Sequence, residues 1–269
     1  MKEIHLSCYA GIWGADGVIQ AISDVSHCGF EGLEFPADIV FHYEDRIHVF
    51  EEILEDSRLR LSGLIQKVNL IDKENADEQV ERAANSARFV GAISRGSLIV
   101  CQAVRLETAP ADDDWLTIAA ILEEIGCRCR DFGINLCFLP RARYFGDSDQ
   151  DLRRLLAMTP PEAVHLAVDS AELTAAGMNP GKIIRTHADR LKMVRLRDLS
   201  GAKRRQEGSG AVPQFGRGKV DFEAVSKALA DIGYEGWITL DVTGEAAQPK
   251  DAALASHRFI MRRSGLFPY

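Results

Sequence analysis

Long apolar runs are missing from this chain of 269 residues. None reaches the roughly 20 residues that cross a bilayer, so no membrane span is expected. The N-terminal stretch "MKEIHLSCYAG" has no extended apolar segment, which argues against a secretory signal and for the cytoplasm. Positive charge is in short supply. The 32 Lys and Arg residues face 40 Asp and Glu, giving a formal net charge of −8. Tracking phosphates needs a basic surface, so a nucleic-acid partner is disfavoured. Zinc-like CxxC pairs are absent as well. The six cysteines (Cys8, Cys28, Cys101, Cys127, Cys129 and Cys137) stand in apolar surroundings. Cys127 and Cys129 are two apart on an expected helix and point to different faces. Free buried thiols are the favoured reading over disulfides. There is no low-complexity linker, and no GxGxxG follows the first strand-like run, which removes the main signal for a dinucleotide fold.

What is present is a core and a rhythm. Hydrophobic residues make up 46% and charged residues 27%, enough apolar material for a large core and too much for disorder. Eight strand-like runs stand at 4–8, 32–35, 59–68, 97–101, 134–139, 164–169, 191–196 and 237–242. Each is followed by an amphipathic, helix-like stretch: 17–27, 43–56, 75–90, 112–132, 148–158, 180–186, 221–232 and 249–262. Alternation of this kind implies parallel strands. Eight units in this length predict one α/β domain over residues 1–269, a closed (β/α)8 TIM barrel. Gly29, Gly133, Gly233 and Gly236 stand before strands, where a helix C-cap needs φ above zero. Composition does not separate a monomer from a homo-oligomer.

Barrels of this type work at the C-terminal ends of their strands. That rule selects Glu34, Gln66, Gln102, residues 139–141 and 169–172, Arg195, Arg197 and Asp241. The run "MVRLRD" at 193–198 is the odd one. Period-two alternation puts Arg195 and Arg197 on one face, and the barrel makes that face the interior near the mouth.

The second half, from about residue 163 to 262, resembles the xylose-isomerase-like barrels. The likeness rests on the strand-six run "VHLAVD", the turn "GRGKVDF" at 216–222 and "GYEGW" at 233–237. In the first half "CGFEGLEFP" is similar to the second-strand pattern of that superfamily. It includes sugar and ketose epimerases, inosose dehydratases, hydroxypyruvate isomerases and an AP-endonuclease branch. The resemblance implies one divalent metal held by Glu or His at strand five, Asp at strand six, His at strand seven and Glu at strand eight. Such a metal polarises a carbonyl while a carboxylate moves a proton on the adjacent carbon.

This sequence departs from that pattern. Leu139 stands at the strand-five position, Asp169 is kept, and Glu172 stands where a histidine is usual three residues later. Arg195 and Arg197 replace the histidine and lysine of the strand-seven "HxKD", and Asp241 is one methylene shorter than the usual Glu. Leucine has no donor atom, and arginine stays protonated and only donates hydrogen bonds. The departures imply that the ordinary metal is absent and no cofactor is needed. The alternative is a divalent cation such as Mn or Mg still held by Asp169 and Asp241. Arg195 is expected to project between those two carboxylates, where one pair near 4 Å is worth about 4 kcal/mol before desolvation.

Two functional readings follow. In the first, the chain is a diverged sugar isomerase/epimerase-like barrel acting on or binding a small carbohydrate or sugar acid. Glu34, Asp169, Glu172 and Asp241 are then the proton-transfer candidates. Trp13, Gln66, Gln102, Arg141, Arg195, Arg197 and Arg217 are the candidates for holding substrate. In the second, a binding or partner protein keeps the barrel and has lost the chemistry. Four arginines facing four carboxylates serve either an anionic ligand or internal pairing. Gln66 and Gln102 either meet a polyol or satisfy loop backbone. Trp13 either stacks on a sugar or caps the barrel end. The basic run at 202–208 is read as a solvated loop or a cover over an anion. The AP-endonuclease branch is disfavoured, because its multi-metal site needs many His and acidic ligands.

Overall fold

The computed structural model describes residues 4–106, 108–199, 215–243 and 248–263. The basic run at 202–208 lies outside the described residues. Eight strands pair in parallel and in sequence order, and the last closes on the first. They are β1 (Ile4–Tyr9), β2 (Gly32–Pro36), β3 (Arg60–Val68), β4 (Ser97–Gln102), β5 (Asn135–Phe138), β6 (Val164–Asp169), β7 (Leu191–Leu196) and β8 (Gly236–Leu240). Each expected run is present, and the (β/α)8 barrel is the observed architecture. Among the described residues no helix is long and apolar enough to cross a membrane.

The helices are α1 (Val18–Cys28), α2 (Val40–Tyr43), α3 (Ile47–Asp56), α4 (Ala76–Ile93), α5 (Asp112–Asp131), α6 (Asp149–Met158), α7 (Ser170–Ala175), α8 (Pro180–Thr186), α9 (Phe222–Ile232) and α10 (Pro249–Arg263). Local chemistry explains their ends. Asp112, Asp113 and Asp114 begin α5, and Arg128 and Arg130 lie in its last turn, so its charges complement the helix dipole. Gly29 takes φ 89° after α1, and Gly233 takes φ 64° after α9, as a left-handed C-cap requires.

Two features were not anticipated. The expected helix at 43–56 is broken into α2, a 3-10 turn at Glu44–Arg46, and α3. The short α7 begins directly after β6. Its signal was in the sequence, because "DSAE" at 169–172 is an acidic N-cap with Glu three residues on. Asp169 Oδ1 accepts from the amides of Ala171 and Glu172 at 2.9 and 3.0 Å.

The core has two parts. Helix-facing side chains of the strands join the inner faces of the helices in one large cluster. Inside the barrel, Ile99, Cys101, Cys137, Leu139, Ala167 and Met193 pack together on strands β4 to β7 and just past β5. Below the mouth Ser62 Oγ donates to Ser7 Oγ at 3.0 Å, and Ser7 Oγ shares a 2.6 Å hydrogen bond with Thr239 Oγ1. The six cysteines carry no disulfide, as the free-thiol reading expects.

A buried arginine holds the start of β6. Arg190 donates to the carbonyls of Val164 and Leu156, at 2.7 and 2.9 Å, and to Thr159 Oγ1 at 3.1 Å. Removing it strands buried acceptors. Arg190→Ala is expected to lower the unfolding free energy by about 2–4 kcal/mol in urea titrations. Arg190→Lys should recover only part of that, because an ammonium lacks the planar fork.

Candidate functional site

Register places the charged residues of the mouth side by side. Asp169, the last residue of β6, pairs in register with Arg195 of β7, and Arg195 pairs with Thr239 of β8. Asp241 follows two residues later on the same side. Glu34 arrives from across the barrel on β2. The side chain of Arg195 is only 5% exposed and spans all three carboxylates. Its Nε donates to Glu34 Oε1 at 2.9 Å, its Nη1 to Asp169 Oδ2 at 3.2 Å and its Nη2 to Asp241 Oδ2 at 2.9 Å. Tyr9, at the end of β1, lays its ring against the guanidinium, 5.0 Å from carbon to centroid. Gly11 makes room for that ring, since a Cβ there would come within 2.5 Å of it.

A second tier surrounds the first. Arg197 Nη2 donates to Glu172 Oε1 at 2.6 Å, and its Nε lies 3.6 Å from Asp169 Oδ1. Glu172 also accepts from the Ala142 amide at 2.9 Å. Arg141 stands 4.0 Å from Glu172 and rests on the Tyr144 ring. Asp241 Oδ1 accepts from the Thr243 amide at 2.9 Å.

These contacts set the protonation states. Burial works against the charge on Arg195, but its three carboxylates outweigh that and raise its pKa. The Asp169 carboxylate holds the pKa of Arg197 up, against burial. For Asp241 burial raises the pKa, while Arg195, Arg197 and Thr243 together bring it below the ordinary value. Burial raises Asp169, with both arginines opposing. Burial raises Glu34 to about 7, only partly offset by Arg195, and its Oε2 has no hydrogen-bond partner. Glu34, Asp169, Glu172 and Asp241 against Arg141, Arg195 and Arg197 leave one negative charge in excess. A proton on Glu34 relieves it.

A cavity of about 540 Å³ opens over this cluster. Of the residues selected by sequence, Gln66, Arg141, Glu172, Arg195, Arg197 and Asp241 line it. Glu34 and Asp169 are fully buried and are not part of its wall. Three substrate-holding candidates do not reach it. Trp13 turns away and donates from Nε1 to Asp24 Oδ2 at 3.0 Å. Gln102 accepts from the Leu70 amide at 2.8 Å and donates to Asn69 Oδ1, which is the backbone-satisfying role. Arg217 is exposed in the turn before α9, away from the cavity wall. Sequence reasoning missed Tyr9 and Lys67, which do line it. Alternation was the available signal: Tyr9 shares a face with Ser7, and Lys67 with Ile65.

The donor set does not fit the divalent cation implied by the resemblance. Leu139 has no ligand atom, and the guanidinium of Arg195 is hydrogen-bonded to each of the carboxylates that such an ion would need. Among the described residues no three His, Cys, Asp or Glu side chains gather closely enough to hold a metal ion.

The raised pKa of Glu34 has a definite sign in stability. The folded state keeps the proton more tightly than the unfolded chain does. The stabilisation is complete below about 4.5 and is lost as pH rises through about 7. Between about pH 5 and about pH 8, wild type should therefore lose more stability than Glu34→Gln in urea unfolding. Parallel profiles for the two proteins would remove Glu34 as the proton holder.

Comparison with known proteins agrees with this architecture. Residues 22–263 match the model of the xylose isomerase-like TIM barrel. An inosose dehydratase from Clostridium botulinum (strain Alaska E43 / Type E3) is 24% identical over 274 residues, covering 92% of this chain and 90% of its own length. The D-psicose 3-epimerase of Clostridium cellulolyticum H10, in its crystal structure with D-tagatose, superposes with a TM-score of 0.79. The alignment covers 98% of this chain and all (100%) of that one, at 17% identity. The D-allulose 3-epimerase of Methylomonas sp., in complex with D-allulose, gives a TM-score of 0.76 at 18% identity, over 98% of each chain. With the match spanning nearly the whole barrel, the chain belongs to the xylose isomerase-like TIM barrel family.

Proposed function

We propose that this chain is a diverged sugar isomerase/epimerase-like protein that takes a small carbohydrate or sugar acid at the barrel mouth and does so without the usual divalent metal. The observation that carries this reading is the triple pairing of Arg195 with Glu34, Asp169 and Asp241. The guanidinium supplies a positive charge there and offers no open coordination position. The sugar-directed names of the relatives support the ligand class.

In an isomerase-type step a carboxylate accepts the proton from the carbon beside a carbonyl. The C–H electron pair moves into the carbon framework and negative charge develops on the carbonyl oxygen. Asp241 and Glu172 are the carboxylates of the candidate set that line the cavity. Lys67 and Arg197 are cavity cations placed to meet the developing oxyanion. A sugar acid is less favoured than its arginine count suggested, because Arg195 and Arg197 are already held by carboxylates. Lys67 and Arg82 are the lining cations without an ion pair to a described carboxylate.

A second reading, binding without turnover, is favoured by one observation. All four candidate carboxylates are engaged by arginine or backbone amides, so each is tied to the protein at rest.

Metal analysis tests the first claim. Protein purified without chelator should carry no stoichiometric Mn, Co, Zn or Mg, and added Mn should leave its Tm unchanged. A tightly bound equivalent of metal would overturn the guanidinium reading. The double variant Leu139→Glu with Arg195→His should gain a Tm that rises with Mn. Solvent deuterium entering any member of a ketose and sugar-acid panel establishes turnover, and no exchange with retained binding establishes the second reading.

A further inference from the structure

The cavity is larger than the barrel mouth. It runs past the end of β3 into a side lobe between the β2–α2 segment and α4. Gln66 marks the floor of that lobe. By alternation it shares the helix-facing side of β3 with Leu64 and Val68, both in the outer core, while Ile65 and Lys67 face the barrel interior. An amide on that face is costly unless it is bonded. Gln66 is 4% exposed and lines the cavity, and its Oε1, itself buried, has no hydrogen-bond partner.

The walls of the lobe differ in chemistry. Arg82, Asn85 and Ser86 lie at i, i+3 and i+4 on α4 and present one polar face. Opposite them stand Val40 and Phe41 of α2, with Phe41 69% exposed. Asp38 and Glu44 bring negative charge to the same region as Arg82. No single sign dominates, so the fit is to a neutral group. A polar wall facing an apolar one suits a sugar ring, which has a hydroxyl rim and a C–H face. A volume of about 540 Å³ lies within the range of roughly 300–1,000 Å³ that holds drug-sized molecules.

We infer that the side lobe is a second subsite that takes a neutral, hydroxyl-bearing ring beyond the one at the barrel mouth, so that the preferred ligand is a disaccharide or glycoside. A turn of the Gln66 amide brings Oε1 to the cavity, where a ligand hydroxyl donates to it, and the ring lies along Phe41. This rests on the carbohydrate reading above and specifies the size and polarity of its ligand.

The test is calorimetric titration of the full chain with D-glucose and D-fructose against maltose, cellobiose and sucrose. At least one disaccharide should bind about tenfold more tightly than either monosaccharide. Gln66→Met should erase that gain. Phe41→Ala, at an exposed position that folding tolerates, should reduce the same gain independently. Equal affinity for monosaccharides and disaccharides, with both variants silent, overturns the second subsite and leaves the carbohydrate reading standing. A failure of all five sugars to bind overturns both.

Discussion

The mouth of this barrel depends on one guanidinium. Glu34, Asp169 and Asp241 come from three strand ends and converge, almost fully buried, at the base of the cavity. Three such carboxylates without a counter-charge would each carry a desolvation cost of several kcal/mol. Arg195 answers them with a planar fork whose Nε, Nη1 and Nη2 each meet a different carboxylate. Lysine has the charge but not the directions, since its three donors radiate from one atom. The Tyr9 ring closes one side of the fork, and the hydrogen-bonded hydroxyls of Ser7, Ser62 and Thr239 occupy nearby barrel positions. Removing the arginine would leave uncompensated buried anions, so the barrel top and its chemistry share a single constraint.

That constraint also governs what the carboxylates can do. A base must have a free lone pair aimed at the ligand. Asp169 gives one oxygen to the start of α7 and the other to Arg195. Asp241 divides itself between Thr243 and Arg195, and Glu172 between Ala142 and Arg197. The atoms of the cluster without a hydrogen-bond partner are Glu34 Oε2 and Arg197 Nε, and burial raises the pKa of Glu34 to about 7. A metal ion would instead leave open positions for substrate oxygens. The guanidinium matches the charge of that arrangement without its openness.

The barrel itself was legible because it rests on repeats. Eight strand-like runs with glycine stops before several of them are local signals, and each survives in the structure. Arg195 and Arg197 were legible for the same reason, since alternation fixes their face. The partners were harder. Glu34 lies 161 positions from Arg195, and chain order gives no hint that β2 faces β7 across the mouth. The open alternatives are decided by which way a single side chain turns. Trp13 and Gln102 follow or end strands, yet one turns to Asp24 and the other secures the loop after β3. Lys67 was missed and Gln66 selected, although they are neighbours with opposite directions. Arg190 stood in plain sight as a strand-start arginine, but its role as a carbonyl clamp requires the turn between α6 and β6 to be folded.

Gln66 shows how much the direction of one side chain carries. It lies on the outer face of β3, where an apolar residue would pack with Leu64 and Val68. A buried amide with one atom unbonded weakens the fold by about 1–3 kcal/mol relative to a satisfied one. The Arg195 cluster spends nearly all of its donors and acceptors internally, and Gln66 does not. An unmet acceptor therefore lies beside the barrel axis as well as on it. In this chain the guanidinium and the unbonded amide stand at different places, and one cavity joins them.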